Sequence, residues 1–119
     1  MQFSEDIVNK IWEKGRKVEG YDASMFRKDA CGAWIMRDKY GEKHVFGWEI
    51  DHIYPKKLGG TDIVQNLRPL HYQNNLSKSD DYPSYTASVT SSGNNNILVE
   101  KTLVVNASKR KELEKIYHI

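Results

Sequence analysis

The sequence has very little cysteine, with Cys31 alone among 119 residues. A single cysteine excludes an internal disulfide and any zinc site built from two CxxC pairs. Cys31 lies in the apolar stretch ACGAWIM, and free cysteines in such surroundings are usually buried and inert. We therefore interpret Cys31 as a structural residue rather than a nucleophile.

Long hydrophobic runs and a strong excess of charge are also missing. No apolar run reaches the ~20 residues that a membrane-spanning helix needs. The opening MQFSEDIVNKIW carries acidic residues where a signal peptide would be basic. These features predict a cytoplasmic protein without a membrane partner. The formal net charge is only +2, so charge permits a phosphate-binding surface without demanding one.

Short alternating elements predict one α+β domain over residues 1–119, a length that suits a single core. The predicted order is a helix capped by Ser4 and ended by Gly15, strands at about 33–37, 45–50 and 67–70, a short helix within HYQNNLSKSD, a hairpin of 85–90 and 97–105, and a last helix to about Tyr117, capped by Asn106 or Ser108.

The segment after the second predicted strand carries the chemistry. That strand runs into Asp51-His52 and is followed by a loop over residues 53–65, which contains Gly59-Gly60. Loops of this length inside a compact domain are uncommon and are often functional. A carboxylate is a hard ligand that suits Mg²⁺ or Mn²⁺, and a histidine can take a proton from water near neutral pH. Asn75, on the predicted short helix, can present an amide oxygen to the same ion.

Four spaced motifs support this interpretation. They are W-x-I-D-H-I-x-P at residues 48–55, G-G-T-D at 59–62, N-L-x-P-L at 66–70 and N-x-x-K-S-D at 75–80. In this order they resemble the HNH endonuclease family, whose fold is the ββα-metal (His-Me finger) core. The resemblance implies such a core at about residues 45–80 of a single nuclease domain, with an added N-terminal helix and a C-terminal hairpin and helix.

The resemblance also implies a role for each matched residue. Asp51 is similar to the first metal ligand and His52 to the general base, while Asn66 matches the asparagine that pins the loop and orients the histidine. Asn75 stands where many members have histidine, which makes a D-H-N-N variant with one divalent ion, Mg²⁺ or Mn²⁺. Many members carry zinc-binding cysteines around this core; their absence here implies no structural zinc.

Four basic residues are predicted to contact nucleic acid phosphates: Lys78, Arg68, Lys56 and Lys57. The predicted function is hydrolysis of phosphodiester bonds by an HNH endonuclease, with DNA favoured over RNA as substrate. One active site cuts one strand, so a homodimer or larger complex stays open. Two alternatives also remain: a non-catalytic nucleic-acid-binding module on the same scaffold, and a nuclease toxin module neutralised by an immunity protein.

Overall fold

Residues 3–119 fold into three α-helices, three short 3-10 helices and three two-stranded antiparallel sheets, which confirms the α+β class. A computed structural model describes residues 3–119. The elements are α1 (Glu5–Trp12), β1 (Phe26–Lys28), β2 (Trp34–Met36), β3 (Trp48–His52), β4 (Leu67–His71), α2 (Tyr72–Lys78), β5 (Ser84–Ser92), β6 (Asn95–Val104) and α3 (Ala107–Tyr117). The sheets pair β1 with β2, β3 with β4, and β5 with β6.

Side-chain caps begin the first and last helices, as the sequence predicts. The Ser4 hydroxyl accepts a hydrogen bond from the Ile7 amide at 3.2 Å, and the Asn106 side chain accepts one from the Lys109 amide at 2.8 Å. Each cap satisfies a backbone donor that has no partner inside the helix. The first helix ends at Trp12, ahead of the predicted stop at Gly15. No helix within residues 3–119 has the length and apolar character that crossing a membrane requires.

The β3–β4 hairpin lies at the centre of the molecule, between two hydrophobic clusters. Trp48, Ile50 and Leu67 pack into the cluster formed with α1. Leu70 packs into the other cluster, formed with β5 and α3. Because apolar groups on both sides exclude water, polar side chains on this hairpin must find partners inside the protein.

The predicted strand at 45–50 begins later and ends later than expected, at Trp48 and His52. A turn occupies the residues before it, where the Gly47 amide donates to the His44 carbonyl at 2.8 Å. A Cβ at Gly47 would lie 1.8 Å from the Glu42 carbonyl oxygen, so only glycine fits this close approach. The short strand β1 was not predicted, because three residues show too little alternation.

The buried Asn74 side chain joins α2 to the strand β5 and to Asp29, the residue after β1. Its amide oxygen accepts from the Ser88 and Val89 amides of β5, both at 2.8 Å. Its amide nitrogen donates to the Val89 carbonyl at 2.9 Å and to the Asp29 carboxylate at 3.1 Å. The same carboxylate accepts from the backbone of His71, at the start of α2. Asn74 therefore fixes the helix on which its neighbour Asn75 sits.

We expect Asn74→Ala to lower the free energy of unfolding by about 3 kcal/mol, because buried donors and acceptors on β5 lose their partner. Urea unfolding would measure the loss. The matched control is Asn75→Ala, since Asn75 is half-buried beside an open cavity; its change should stay within about 0.5 kcal/mol. Equal losses in the two variants would contradict the assignment of Asn74 as the anchor.

Candidate active site

A cavity of about 270 Å³ brings together the three residues predicted to carry the chemistry, Asp51, His52 and Asn75. The rest of its lining is Ile50, Pro55, Lys56, Ser79 and Asp80. The strand β3 supplies the first two residues, and α2 supplies the third from its middle turn. Residues 24 positions apart in sequence thus border one space of the size that a phosphate group and its ligands need.

The Asp51 carboxylate is buried and paired with two cations. Arg68, directly opposite on β4, donates from Nε to Asp51 Oδ2 at 2.9 Å. The Lys78 amine, from the end of α2, lies 3.3 Å from Oδ1 and donates to the His52 carbonyl at 3.2 Å. Burying a charge is costly unless it is paired and hydrogen-bonded. One carboxylate and two cations leave this cluster with an excess positive charge.

Burial and the paired charges both shift the pKa values of Lys78 and Arg68. Burial lowers the pKa of the Lys78 amine, and the Asp51 carboxylate opposes that shift. For Arg68, burial is the largest single effect and acts to lower the pKa, but the Asp51 carboxylate and Tyr85 together outweigh it and raise the pKa above its ordinary value. The guanidinium therefore keeps its charge beside the cavity at any pH at which the protein is folded.

His52 is held by a carboxylate from the loop that follows its strand. His52 Nε2 and Asp62 Oδ1 lie 2.6 Å apart, and this hydrogen bond lowers the pKa of Asp62. A carboxylate at such a pKa can only accept, so Nε2 carries the hydrogen and Nδ1 is left as the basic nitrogen. Asp62 had no assigned role in the sequence prediction, although it is the last residue of the G-G-T-D motif, ten positions after His52.

Asn66 shapes the loop that carries Asp62. Its side chain is fully buried; it accepts from the Tyr54 amide at 2.7 Å and donates to the Tyr54 and Thr61 carbonyls at 3.0 and 3.1 Å. A Cβ at Gly60 would lie 1.8 Å from the Tyr54 carbonyl oxygen, which explains the glycine there. These contacts close the loop against the end of β3, beside His52.

The four basic residues predicted to contact phosphates divide into two pairs. Lys56 and Lys57 are exposed, and Lys56 borders the cavity. Lys78 is fully buried and Arg68 nearly so, both against Asp51. The cationic groups of Lys78 and Arg68 lie against the Asp51 carboxylate, and their predicted contact with phosphate stays a prediction. Sequence did not indicate their burial, because solvated lysine and arginine are the usual case.

The donors around the cavity fit a hard divalent ion bound through few protein ligands. Asp51 and Asp80 offer carboxylate oxygens and Asn75 an amide oxygen, which are the ligand types that Mg²⁺ and Mn²⁺ prefer. Within residues 3–119, no three His, Cys, Asp or Glu side chains converge as a metal site. Mg²⁺ commonly takes one or two carboxylates and completes its shell with water and phosphate.

Residues 40–81 match the family model described as HNH endonuclease. The family resemblance seen in the motifs is therefore confirmed over residues 40–81. The matched range spans β3, β4 and α2 and includes every residue that lines the cavity. This match suggests nuclease activity on nucleic acid. Neither the curated proteins nor the solved structures gave a match to this chain.

We expect Lys78→Met to lower the free energy of unfolding by about 3 kcal/mol, because it takes one partner from a buried charge. The loss should persist in 1 M salt, since buried pairs are little screened. Lys57→Met is the control, because that lysine is exposed, and should change stability by less than about 0.5 kcal/mol. A loss that disappears in high salt would show that the Lys78 amine is solvated.

Proposed function

We propose that this protein is a metal-dependent endonuclease whose single domain holds a ββα-metal core at about residues 45–80, formed by β3, β4 and α2. The observation that carries the proposal is the shared cavity of Asp51, His52 and Asn75 beside two buried cations. An oxygen-donor pair, a base and an excess positive charge at one place suit a phosphodiester substrate, which is anionic.

His52 is the general base in this proposal. Its Nδ1 takes a proton from a water molecule while Nε2–H donates to Asp62, which stabilises the imidazolium as it forms. The hydroxide forms a bond to phosphorus, the bond from phosphorus to the 3′ oxygen breaks, and that oxygen takes up a proton from solvent water. The products are a 5′ phosphate and a 3′ hydroxyl.

Asp51 and Asn75 would hold one divalent ion, Mg²⁺ or Mn²⁺, against the cavity. When bound, such an ion supplies Lewis-acid stabilisation to the phosphate and to the departing oxygen. Asp51 retains free lone pairs for this, because each carboxylate oxygen can accept more than the single contact it has here. Arg68 and Lys78 orient the carboxylate, and the exposed Lys56 and Lys57 are placed to contact phosphates on either side of the scissile bond.

We propose DNA as the substrate. Purified protein with supercoiled plasmid and Mg²⁺ or Mn²⁺ should yield nicked or linear product that carries 5′ phosphates. His52→Ala should lower the rate by about 10² to 10⁴-fold, the usual contribution of a general base. Chelation with EDTA should abolish cleavage, and a matched single-stranded RNA would compare the two substrates.

A non-catalytic binding module is the second candidate. Both Asp51 oxygens already contact cations, and this observation favours a carboxylate that serves structure alone. Gel shift of the plasmid fragment without cleavage in any divalent ion would support that candidate. Equal cleavage by wild type and His52→Ala would instead remove His52 from the role of base.

Asp62→Asn should reduce kcat about tenfold or more with little change in KM, because an amide can present its N–H to Nε2 and favour the wrong tautomer of His52. Single-turnover cleavage at saturating DNA would measure the change. Asp38→Asn is the control: it removes the same charge from an exposed residue outside the cavity. A change confined to KM would show that Asp62 acts on DNA binding instead of on the base.

A further inference from the structure

A second and larger cavity, of about 430 Å³, shares no lining residue with the candidate active site. It is bounded by the residues after α1, the end of β1, β4, the β5–β6 hairpin and the start of α3. Arg68 lines it, and the same guanidinium bonds Asp51 of the first cavity through Nε. The two cavities thus lie on either side of one arginine.

Positive charge dominates the lining of this cavity. Five of its residues are cationic and one is acidic: Lys14, Arg16, Lys28, Arg68, Lys109 and Asp29. The Asp29 carboxylate accepts hydrogen bonds from four N–H donors, those of Cys31, Ala33, His71 and Asn74.

Three of the five cations form no salt bridge with a carboxylate of the described residues. Arg68 is paired with Asp51, and Lys109 with Glu112 at 2.7 Å. For Lys14, Arg16 and Lys28, no salt bridge occurs within the part of the chain that the structure describes. The Asp29 carboxylate keeps its own charge, so the lining carries an excess of two positive charges, which suits an anion that carries more than one charge.

A donor without an acceptor lies at the same place. Arg68 Nη2 is buried and has no hydrogen-bond partner among residues 3–119. The guanidinium is held over the Tyr85 ring, with its carbon 5.0 Å from the ring centroid. Buried polar groups are nearly always hydrogen-bonded, and a fixed guanidinium matches the oxygens of a phosphate. The Tyr85 side chain lies against the same guanidinium, and Nη2 can donate to an oxygen of a ligand in the cavity.

The lowered pKa of the Lys14 amine is consistent with an electropositive cavity. Burial, together with the charge of Lys109, lowers the pKa of the Lys14 amine to about 8, against a smaller opposing effect from Glu112. The amine donates to the carbonyls of Val64 and Leu67, on the loop and the strand beside the cavity. Excess positive charge of this kind is relieved when an anion binds.

We propose that this cavity binds a phosphate monoester, presented either by a free nucleotide or by the 5′-phosphorylated end of a nucleic acid chain. Its phosphate carries two negative charges, which would balance the excess of positive charge, and its oxygens would accept a hydrogen bond from Arg68 Nη2. The volume lies within the usual range for small-molecule sites, roughly 300–1,000 Å³. Apolar residues Ile53, Leu67 and Pro69 complete the lining and suit the organic part of the ligand. The proposal does not require cleavage activity.

Calorimetric titration of the full chain in EDTA would test this, because chelation removes any metal from the active site. The probes are inorganic phosphate, a deoxynucleoside 5′-monophosphate, and one short oligonucleotide with either a 5′ phosphate or a 5′ hydroxyl. We expect the phosphorylated oligonucleotide or the nucleotide to bind at least tenfold more tightly than the 5′-hydroxyl form. Which of the two binds tells whether the source is a chain end or a free nucleotide.

The neighbouring residues Arg16 and Lys17 offer a matched pair, since both are exposed and only Arg16 lines the cavity. Arg16→Gln, alone and with Lys28→Gln, should weaken binding tenfold or more, whereas Lys17→Gln should change it less than twofold. His52→Ala should bind like wild type, so a failed nuclease assay and a failed binding assay remain distinguishable. Thermal unfolding would verify that each variant is folded.

Amide NMR shifts would locate the ligand. The expected shifts are at Gly15, Val105 and Asn106, on the cavity lining. The proposal is overturned if no phosphate probe binds, if the 5′-hydroxyl form binds equally well, or if Lys17→Gln weakens binding as much as Arg16→Gln. Shifts concentrated at His52 and Lys56 would overturn it as well, because the ligand would then occupy the candidate active site.

Discussion

The packing at the centre of this molecule depends on the buried carboxylate of Asp51. Such a charge is stable between two hydrophobic clusters only if cations and hydrogen bonds replace the lost water. Arg68 reaches it from the opposite strand and Lys78 from the following helix. The two contacts tie β3, β4 and α2 to one point. The order of strand, strand and helix is therefore held together by charge as well as by apolar packing.

The same pairing prepares the site for an anionic substrate. Two cations against one carboxylate leave a fixed positive charge beside the cavity, where low polarizability of the surroundings makes it effective. Because Lys78 and Arg68 are locked by burial, this charge needs no rearrangement when a phosphate arrives. The exposed Lys56 borders the cavity and lies 3.8 Å from the Asp62 carboxylate. In the proposed function, the buried pair would stabilise a phosphate and Lys56 would contact it from the surface.

The loop between β3 and β4 is ordered by its own polar side chains. Asn66 bonds both backbone groups of Tyr54, and the close approach at Gly60 removes any room for a side chain. This closure brings Asp62 to within 2.6 Å of His52. A long loop would otherwise cost conformational freedom, so its internal hydrogen bonds are what allow it to position a histidine.

Much of the candidate site was predictable, because its elements are close in sequence and follow a spaced pattern. Asp51 and His52 end one strand, Asn66 stands before the next, and Asn75 lies on the helix after it. The choice of Asn75 over Asn74 stays a prediction; in the structure the Asn74 side chain is buried and hydrogen-bonded, whereas Asn75 borders the cavity. The start of β3 was less predictable, since the turn before it depends on a close backbone contact at Gly47.

Sequence by itself determined the α+β class and the resemblance of residues 40–81 to the HNH endonuclease family, because motif spacing and periodicity are local properties of the chain. Tertiary structure alone decided which charges meet. Lysine and arginine have long, flexible side chains that are solvated by default, so no pattern shows that Lys78 and Arg68 turn inward to Asp51. The second cavity is likewise a product of tertiary packing, which sequence patterns do not show. Its cations come from four separate segments of the chain, and only packing brings segments so distant in sequence to one surface.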